Sequence, residues 1–223
     1  MTTALVTGAN RGIGLEIVKQ LMARGLTVYL GARDPERGEK AAAGTGARFV
    51  RLDVTDPESV RQAAASLDSL DVLVNNAAVL GGGPAQAPGS ADLEDVRLAF
   101  ETNVLGVITV TEAFLPLLRR SARPRIVNVS SSVGTLTGMG TSEMPIALGY
   151  PPSKAALNAV TLQYAKALRD TAIKVNAVCP GWCAPEVNGR TPAQGAHIAV
   201  TMATLADDGP TGGFYDDEGV VAW

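Results

Sequence analysis

Short apolar segments alternate with longer amphipathic segments along the whole chain of 223 residues. The short segments are typical of strands that are covered on both faces of a parallel sheet. The longer ones place apolar side chains on one helix face, and Ile13, Ile17 and Leu21 are the first such set. The pattern predicts strands at 3–7, 27–31, 48–53, 71–75, 125–129, 173–178 and, at the sheet edge, 212–215.

The alternation of strand and helix is continuous, with no internal repeat, linker or block of like charge. This order of elements predicts an α/β fold. We expect a single doubly wound Rossmann domain over residues 1–223, with a mostly parallel seven-stranded sheet. A chain of this length can bury a sizeable core as one domain.

The turn after the first predicted strand is rich in glycine and opens a helix. Gly8 permits a tight turn, Gly12 lets a pyrophosphate approach the backbone, and Gly14 lets the helix pack closely on the sheet. Bound phosphates would lie at the positive end of that helix. The spacing is not the usual G-x-G-x-x-G, but its place between strand and helix favours a mononucleotide site over a purely structural turn.

The end of the second strand offers both charges that discriminate between nicotinamide cofactors. A carboxylate there would bind the ribose diol of NAD, whereas an arginine accommodates the 2′-phosphate of NADP. Asp34 directly precedes Pro35, which suits a helix N-cap, so we assign it a structural role. Arg33 and Arg11 remain as cations, and we therefore expect NADP rather than NAD.

Tyr150 and Lys154 lie four residues apart at the start of a helical run, on one face of it. If that face lines a pocket, the ammonium group lowers the pKa of the phenol. A phenol tuned closer to neutral pH can give a proton to a developing alkoxide. The alternative is an ordinary solvated helix face.

Further polar side chains fall where strands are expected to end. The run 130–132 consists of serines and follows the fifth strand, and Asp53 follows the third, where its carboxylate could accept from an adenine amino group. The carboxyl ends of strands are where open α/β sheets bind ligands. Asn103 lies inside the apolar helical run 91–118, where an amide needs a partner; a buried structural amide is its alternative role.

Composition excludes several other classes of function. The net charge is −3 with scattered Lys and Arg, which argues against a nucleic-acid surface. We see no apolar run of membrane-span length and no signal segment before the first strand. Cys179 and Cys183 are too few for a disulfide framework and lack zinc-ligand spacing, so we expect a cytoplasmic protein without a metal site.

Taken together, the motifs resemble those of the short-chain dehydrogenase/reductase family over essentially the whole chain. The matching residues are 7–14, 75–77, Asn103, Ser131, Tyr150, Lys154 and 180–181, in the family's order. Within the family the chain is most similar to the NADPH-dependent carbonyl reductases. That similarity rests on Arg11, 31–34, 179–182, the short segment before the last helix and Trp223.

The resemblance implies a role for each catalytic position. Tyr150 would donate a proton to the carbonyl oxygen, and Ser131 would hold that oxygen by a hydrogen bond, with Ser132 as the second choice. Lys154 would bind the nicotinamide ribose and lower the pKa of Tyr150. Asn103, through its backbone and a water, would link Lys154 to a proton relay.

The implied activity is NADPH-dependent reduction of ketones or aldehydes to alcohols, and we expect apolar, bulky substrates. Reduction of an imine or an activated double bond on the same site, and a non-catalytic NADP(H)-sensing protein, are the alternatives; monomer and homo-oligomer both stay open. The residues expected at the cofactor are Gly8, Asn10, Arg11, Gly12, Ile13, Gly14, Arg33, Asp53, Val54, Asn75, Ala77, Lys154, Pro180, Gly181 and Trp182.

Two departures from the family pattern bear on the substrate pocket. Several extra residues, within 137–146, separate Ser131 from Tyr150, and we expect them to form one wall of the pocket. Pro185 stands where the family usually has a threonine that contacts the cofactor. Because proline offers neither a hydroxyl nor an amide donor, we expect weaker ordering of the cofactor or an altered pocket mouth.

Overall fold

A parallel sheet organises the protein, for which the computed structural model describes residues 2–81, 89–141 and 146–223. Within these ranges eight strands join one sheet in the order β3-β2-β1-β4-β5-β6-β7-β8. Only the β7–β8 pairing is antiparallel. The strands are β1 Thr3–Thr7, β2 Thr27–Ala32, β3 Arg48–Arg51, β4 Val72–Asn75, β5 Arg125–Val129, β6 Lys174–Val178, β7 Phe214–Asp216 and β8 Gly219–Val220.

Helices cover both faces of the sheet, which confirms the doubly wound, mostly parallel α/β fold. On one face α1, α2 and α8 contribute to a buried apolar cluster, and on the other α3, α5 and α7 do so. The helices are α1 Gly12–Ala23, α2 Pro35–Thr45, α3 Pro57–Ala65, α4 Leu93–Phe100, α5 Gly106–Leu118, α6 Leu136–Thr141, α7 Tyr150–Ala167 and α8 Pro192–Ala203, with 3₁₀ turns at Ser132–Gly134 and Pro185–Val187.

The sheet has one more strand than the seven expected, and one strand ends early. The two-residue β8 is too short to show an apolar pattern, and it forms because the chain folds back antiparallel onto β7. The third strand ends at Arg51 rather than at 53. The amide of Leu52 still donates to the carbonyl of Ala32 at 3.0 Å, but the amide of Asp53 turns away to the hydroxyl of Ser59 at 3.0 Å.

Side-chain caps begin three of the helices, and the one at Asp34 is predicted above from its place before Pro35. Asp34 accepts from the amide of Arg37, Asp56 accepts from that of Glu58, and Thr191 forms a capping box with Gln194. Each cap satisfies a backbone amide that has no partner within its helix. These bonds are local, which is why residue order alone is sufficient to locate the helix starts.

A π-helical turn at Glu101–Leu105 joins α4 to α5 into one continuous helical run. Among the described residues, the run Leu93–Leu118 is long and apolar enough to cross a membrane by length and composition, although half of its most apolar window is buried in the fold. By those two criteria the expectation that no apolar run reaches span length is wrong. The run is apolar partly because α5 packs on the sheet, with Val110 and Phe114 fully buried.

The order of strands reverses between β1 and β4, which lie side by side at the centre of the sheet. Such a reversal opens a crevice at the carboxyl ends of the strands, where α/β sheets bind ligands. Residues 142–145, within the pocket wall expected at 137–146, lie outside the described residues, as do residues 82–88.

The packing of α2 on β3 predicts opposite effects for two glycines of that helix. A Cβ at Gly38 would lie 2.2 Å from Cε2 of Phe49, whereas a Cβ at Gly44 would meet no atom within 4 Å. We expect Gly44→Ala to raise the free energy of unfolding by about 0.5–1 kcal/mol through helix propensity. Gly38→Ala should lower it by about 1–3 kcal/mol through overpacking. Urea unfolding of both variants tests this, and equal effects would contradict the packing described.

Candidate active site

Two neighbouring turns form the floor of the crevice, one after β1 and one after β4. The hydroxyl of Thr7 accepts hydrogen bonds from the amides of Asn76 and Ala77, both at 3.0 Å. Gly8 has φ +63°, and a Cβ there would lie 2.8 Å from Cα of Ala77. Gly12 has φ +58°, and a Cβ there would meet no atom within 4 Å. The backbone is thus tightly packed against the turn after β4 at Gly8 and open to a ligand at Gly12.

A cleft of about 640 Å³ lies above this floor. Ten of the expected cofactor residues line it: Gly8, Asn10, Arg11, Gly12, Ile13, Gly14, Arg33, Asp53, Val54 and Ala77. Eight further residues that were not expected at the cofactor also line the cleft: Asp34, Arg37, Leu52, Thr55, Asn76, Ala78, Val79 and Thr102. The open backbone at a helix start suits the phosphates of a dinucleotide.

Asn75 is not among the described residues that line the cleft, and Asn76 lies there in its place. The side chain of Asn75 is buried, and its Nδ2 donates to Oδ1 of Asn128 at 2.9 Å and to Oγ1 of Thr111 at 3.2 Å. Adjacent residues at a strand end point to opposite sides, so only one of the two asparagines can face the cleft. Because β4 is buried on both faces, its apolar pattern does not indicate which one.

The described part of the cleft carries three arginines, Arg11, Arg33 and Arg37. Asp34 also lines it, but its carboxylate accepts from the amide of Arg37 at 3.1 Å and lies 3.3 Å from Nε of the same residue. The carboxylate is therefore engaged as the cap of α2, as the sequence predicts. This leaves the mouth of the cleft with an excess of positive charge.

Asp53 lies at the far end of the cleft, beyond β3. Its Oδ1 accepts from the amide of Thr55 at 3.0 Å and from the hydroxyl of Thr55 at 2.8 Å. These bonds hold the carboxylate in one orientation. Oδ2 is then the oxygen that would accept from an adenine amino group.

The serine run after β5 separates into three different environments. Ser130 is buried and donates to Oδ1 of Asn158 at 2.6 Å. Ser132 is exposed. Ser131 lies close enough to Tyr150, the first residue of α7, for its hydroxyl to lower the pKa of the phenol. Ser131 is thus the serine that faces the tyrosine, as preferred from the sequence.

Lys154 is buried one helical turn beyond Tyr150. Its Nζ donates to the carbonyl of Val129 at 2.7 Å and lies 5.6 Å from the centroid of the Tyr150 ring. Burial lowers the pKa of Lys154 to about 7, and the negative charge that Cys179 can carry opposes this. Burial raises the pKa of Tyr150 to about 12, although the hydroxyl of Ser131 lowers it.

The net direction at Tyr150 is opposite to the expected one, because burial raises its pKa. Both groups are buried, and burial disfavours the charged form of each. A lysine with a pKa of about 7 is only partly charged at neutral pH, so it has little charge with which to stabilise a tyrosinate. Tyr150 consequently keeps its proton through neutral pH, which is the form that a proton donor requires.

Asn103 occupies the π-helical turn and is fully buried. Its Nδ2 donates to the carbonyl of Val79 at 2.8 Å and to the hydroxyl of Ser153 at 3.0 Å, and its Oδ1 accepts from the amide of Val79 at 2.9 Å. Ser153 in turn donates to the carbonyl of Tyr150 at 2.7 Å. The side chain therefore ties the segment after β4 to the first turn of α7; the role expected for its backbone stays a prediction.

The remaining cofactor residues expected from the sequence, Lys154, Pro180, Gly181 and Trp182, are not among the described residues that line the cleft. They lie further along the same edge of the sheet, at the start of α7 and after β6. The end of β6 reaches the serine run, because the amide of Ser132 donates to Sγ of Cys179 at 3.2 Å. Pro185 is exposed at the start of a 3₁₀ turn, and its effect on the cofactor stays a prediction.

The comparison with protein families agrees with this geometry. Residues 2–195 match the family model described as short chain dehydrogenase. The chain belongs to the short-chain dehydrogenase/reductase family. The match begins before β1 and ends within α8, so it includes the glycine-rich turn, Ser131, Tyr150 and Lys154.

Among curated relatives, salutaridine reductase of Papaver bracteatum is 34% identical over 295 aligned positions, covering 97% of this chain and 94% of that protein. Carbonyl reductase [NADPH] 1 of Sus scrofa is 32% identical, covering 99% and 93%. The NADPH-bound carbonyl reductase from chicken fatty liver superposes with a TM-score of 0.87 at 30% identity, covering 100% and 99% of the two chains.

These relatives place the chain among oxidoreductases that act on carbonyl or alcohol groups and use a nicotinamide cofactor. The alignment with salutaridine reductase is 72 positions longer than this chain of 223 residues. The plant protein therefore contains segments that this chain lacks.

The buried Lys154 predicts that stability rises with pH above neutrality. Its pKa is about 7 in the folded protein against an ordinary 10.5, so between these values the unfolded chain binds more protons. The cost of burying the charge is fully present below pH 7 and is relieved as the pH rises. The free energy of unfolding should therefore increase by up to about 1.4 kcal/mol per pH unit in this window.

Urea unfolding of Lys154→Met tests this prediction, because the variant lacks the titrating group and should lose that slope. Lys166→Met, at an exposed lysine of the same helix, is the matched control and should keep it. The measurements stay below the ordinary tyrosine pKa of 10.0, above which the raised pKa of Tyr150 has the opposite effect. Equal slopes for the two variants would contradict a depressed pKa of Lys154.

Proposed function

We propose that the protein reduces ketones or aldehydes to alcohols with NADPH, using Tyr150 as the proton donor. The observation that carries this proposal is that Ser131, after β5, and Tyr150, at the start of α7, lie close together at the strand edge that also holds a nucleotide-sized cleft, with Lys154 fixed to the end of β5. Two hydroxyls placed in this way can both reach one carbonyl oxygen. Relatives named as reductases of carbonyl compounds support the same reaction class.

The cofactor, when bound, supplies the hydride, and the protein supplies binding, orientation and electrostatics. Ser131 holds the carbonyl oxygen and stabilises the negative charge that develops on it. Tyr150 transfers its proton to that oxygen, which the raised pKa permits because the proton is present at neutral pH. Lys154, 5.6 Å from the ring centroid, is close enough to attract the tyrosinate that remains when it is itself protonated.

A preference for NADPH is supported by the charges of the cleft. Arg11, Arg33 and Arg37 line it, whereas Asp34, the carboxylate that would suit NAD, is engaged as a helix cap. An arginine fork binds a phosphate more strongly than a neutral donor does. The printed names of two relatives specify NADPH. A cytoplasmic location and a single domain over 1–223 are parts of the same proposal.

A bulky, apolar substrate is supported by the side chains around the site. Leu136, Ile146 and Leu148 lie between β5 and α7, Trp182 follows β6, and all four are exposed. Exposed apolar side chains at this edge of the sheet can contact an apolar ligand. Relatives named for salutaridine and neomenthol fit such a pocket.

The three environments of the serines predict different effects of two neighbouring substitutions. Ser131→Ala removes the hydroxyl that meets Tyr150 and should lower kcat by about 10²–10³-fold. Ser132→Ala, at an exposed position, should change kcat by less than about threefold, since a surface substitution has little effect. Initial rates of NADPH oxidation with ketones, aldehydes and cyclic imines measure both. NADPH binding without turnover of any of them would favour the sensor alternative, and turnover of imines alone would favour the imine reductase.

The arginines of the cleft predict the choice of cofactor. Arg33→Ala should reduce the preference for NADPH over NADH by about tenfold or more, because a charge-assisted pair with phosphate contributes on the order of 1.5–3 kcal/mol. Arg51→Ala on β3 is the matched control, since Arg51 is exposed and is not among the residues that line the cleft. The ratio of kcat/KM for the two cofactors gives the result. An equal fall in the preference for NADPH in both variants would mean that Arg33 acts only through its contribution to the net charge.

A further inference from the structure

The segment 181–190, which we call the 181–190 loop, is folded into a compact ring after β6. The amide of Arg190 donates to the carbonyl of Trp182 at 2.8 Å, and the amide of Gly189 donates to that of Ala184 at 2.9 Å. Asn188 has φ +61°, a left-handed conformation that asparagine tolerates, and it reverses the chain at this point. The loop therefore has a defined shape supported by its own backbone bonds.

Arg190 connects this loop to two other elements. Its side chain crosses Gly181, where a Cβ would lie 2.8 Å from Cδ of Arg190. Its Nη2 donates to the carbonyl of Gln194 in the first turn of α8 at 2.8 Å, and it also pairs with the carboxylate of Asp217. Asp217 lies in the turn between β7 and β8, and its Oδ1 is 2.7 Å from Nδ1 of His197 on α8.

This ion pair is only partly accessible to water. The side chains of Arg190 and Asp217 are 33% and 23% exposed. Burial by itself would raise the pKa of Asp217, but hydrogen bonds from Arg190 and His197 hold it below its ordinary value. A partly buried ion pair holds its two side chains together more strongly than a fully exposed pair does. The pair therefore fixes the end of the loop against the β7–β8 turn.

The loop begins two residues after Cys179, next to the serine run, and presents one large aromatic side chain. Cys179, at the end of β6, contacts the serine run through the amide of Ser132. Three residues later Trp182 rests its indole against the loop, with Cδ1 only 2.7 Å from where a Cβ of Gly189 would stand. The indole is nevertheless 60% exposed. One side of the ring is supported by the loop, and much of the rest is open to a ligand.

We propose that Arg190 and Asp217 are positioning residues that hold Trp182 in place as a preformed wall of the substrate pocket. This inference rests on the proposed carbonyl reduction and extends it to a residue of the C-terminal hairpin, which lies outside the matched range 2–195. Asp217 then acts on bulky substrates through Arg190 and the loop, without contacting the reacting atoms. A wall held in advance lowers the ordering cost of binding.

The position of Trp182 can be measured without any substrate. The chain has two tryptophans, and the other, Trp223, stacks on Phe214 with ring centroids 5.5 Å apart. In a Trp223→Phe background, which retains an aromatic ring there, fluorescence reports Trp182 alone. Asp217→Asn should shift its emission and increase quenching by acrylamide, whereas Glu218→Gln, which removes an exposed charge from the same turn, should change neither.

Kinetics then test whether that position matters for the reaction. Asp217→Asn should raise KM for a bulky cyclic ketone by about tenfold, a magnitude typical of small displacements of positioning groups. KM for NADPH and kcat for a small aldehyde should change by less than about twofold, and Asp217→Glu should restore most of the loss. In a Trp182→Ala background, Asp217→Asn should have no further effect on KM, because the two residues act as one unit.

Unchanged quenching in Asp217→Asn, or additive effects of the two substitutions on KM, would overturn the proposal. If Asp217→Asn does not fold, Arg190→Met serves instead, because methionine keeps an apolar stem but cannot donate to Gln194 or Asp217. If the wild-type protein reduces no carbonyl compound, the proposed function fails. The quenching comparison still decides whether the ion pair holds Trp182.

Discussion

The hydrogen bond between Nζ of Lys154 and the carbonyl of Val129 is the contact on which the active site depends. It joins the first turns of α7 to the last residue of β5, and so brings Tyr150 to the serine run. The backbones also meet closely here, since a Cβ at Gly134 would lie 2.8 Å from the carbonyl carbon of Lys154. A carbonyl at the end of a buried strand needs a donor, and the buried lysine provides one.

Burial decides the electrostatics of the two halves of the site in opposite ways. At the nucleotide-sized cleft Arg11 and Arg33 are exposed, which suits the recognition of phosphate. At Tyr150 and Lys154, burial favours the neutral forms and raises one pKa while lowering the other. The protein thus separates a region that binds charge from a region that transfers a proton. If Tyr150 and Lys154 were exposed to water, the lysine would stay charged beside the tyrosine.

The C-terminal hairpin of β7 and β8 links the edge of the sheet to the 181–190 loop. Strand β8 is only two residues long, yet its pairing with β7 creates the turn that carries Asp217. From there the ion pair with Arg190 reaches a loop that starts directly after β6. The loop begins two residues after Cys179, whose Sγ accepts from the amide of Ser132 in the serine run.

Local order along the chain determined the strands β1 and β5, the helix caps at Asp34, Asp56 and Thr191, and the glycine-rich turn, because each depends on residues only a few positions apart. The choice of Ser131 came from its place in a known motif. Tertiary structure alone decided that Asn76 rather than Asn75 faces the cleft, that β8 pairs with β7, and that burial raises the pKa of Tyr150. These outcomes depend on burial and on contacts between distant segments, and neither is contained in residue spacing.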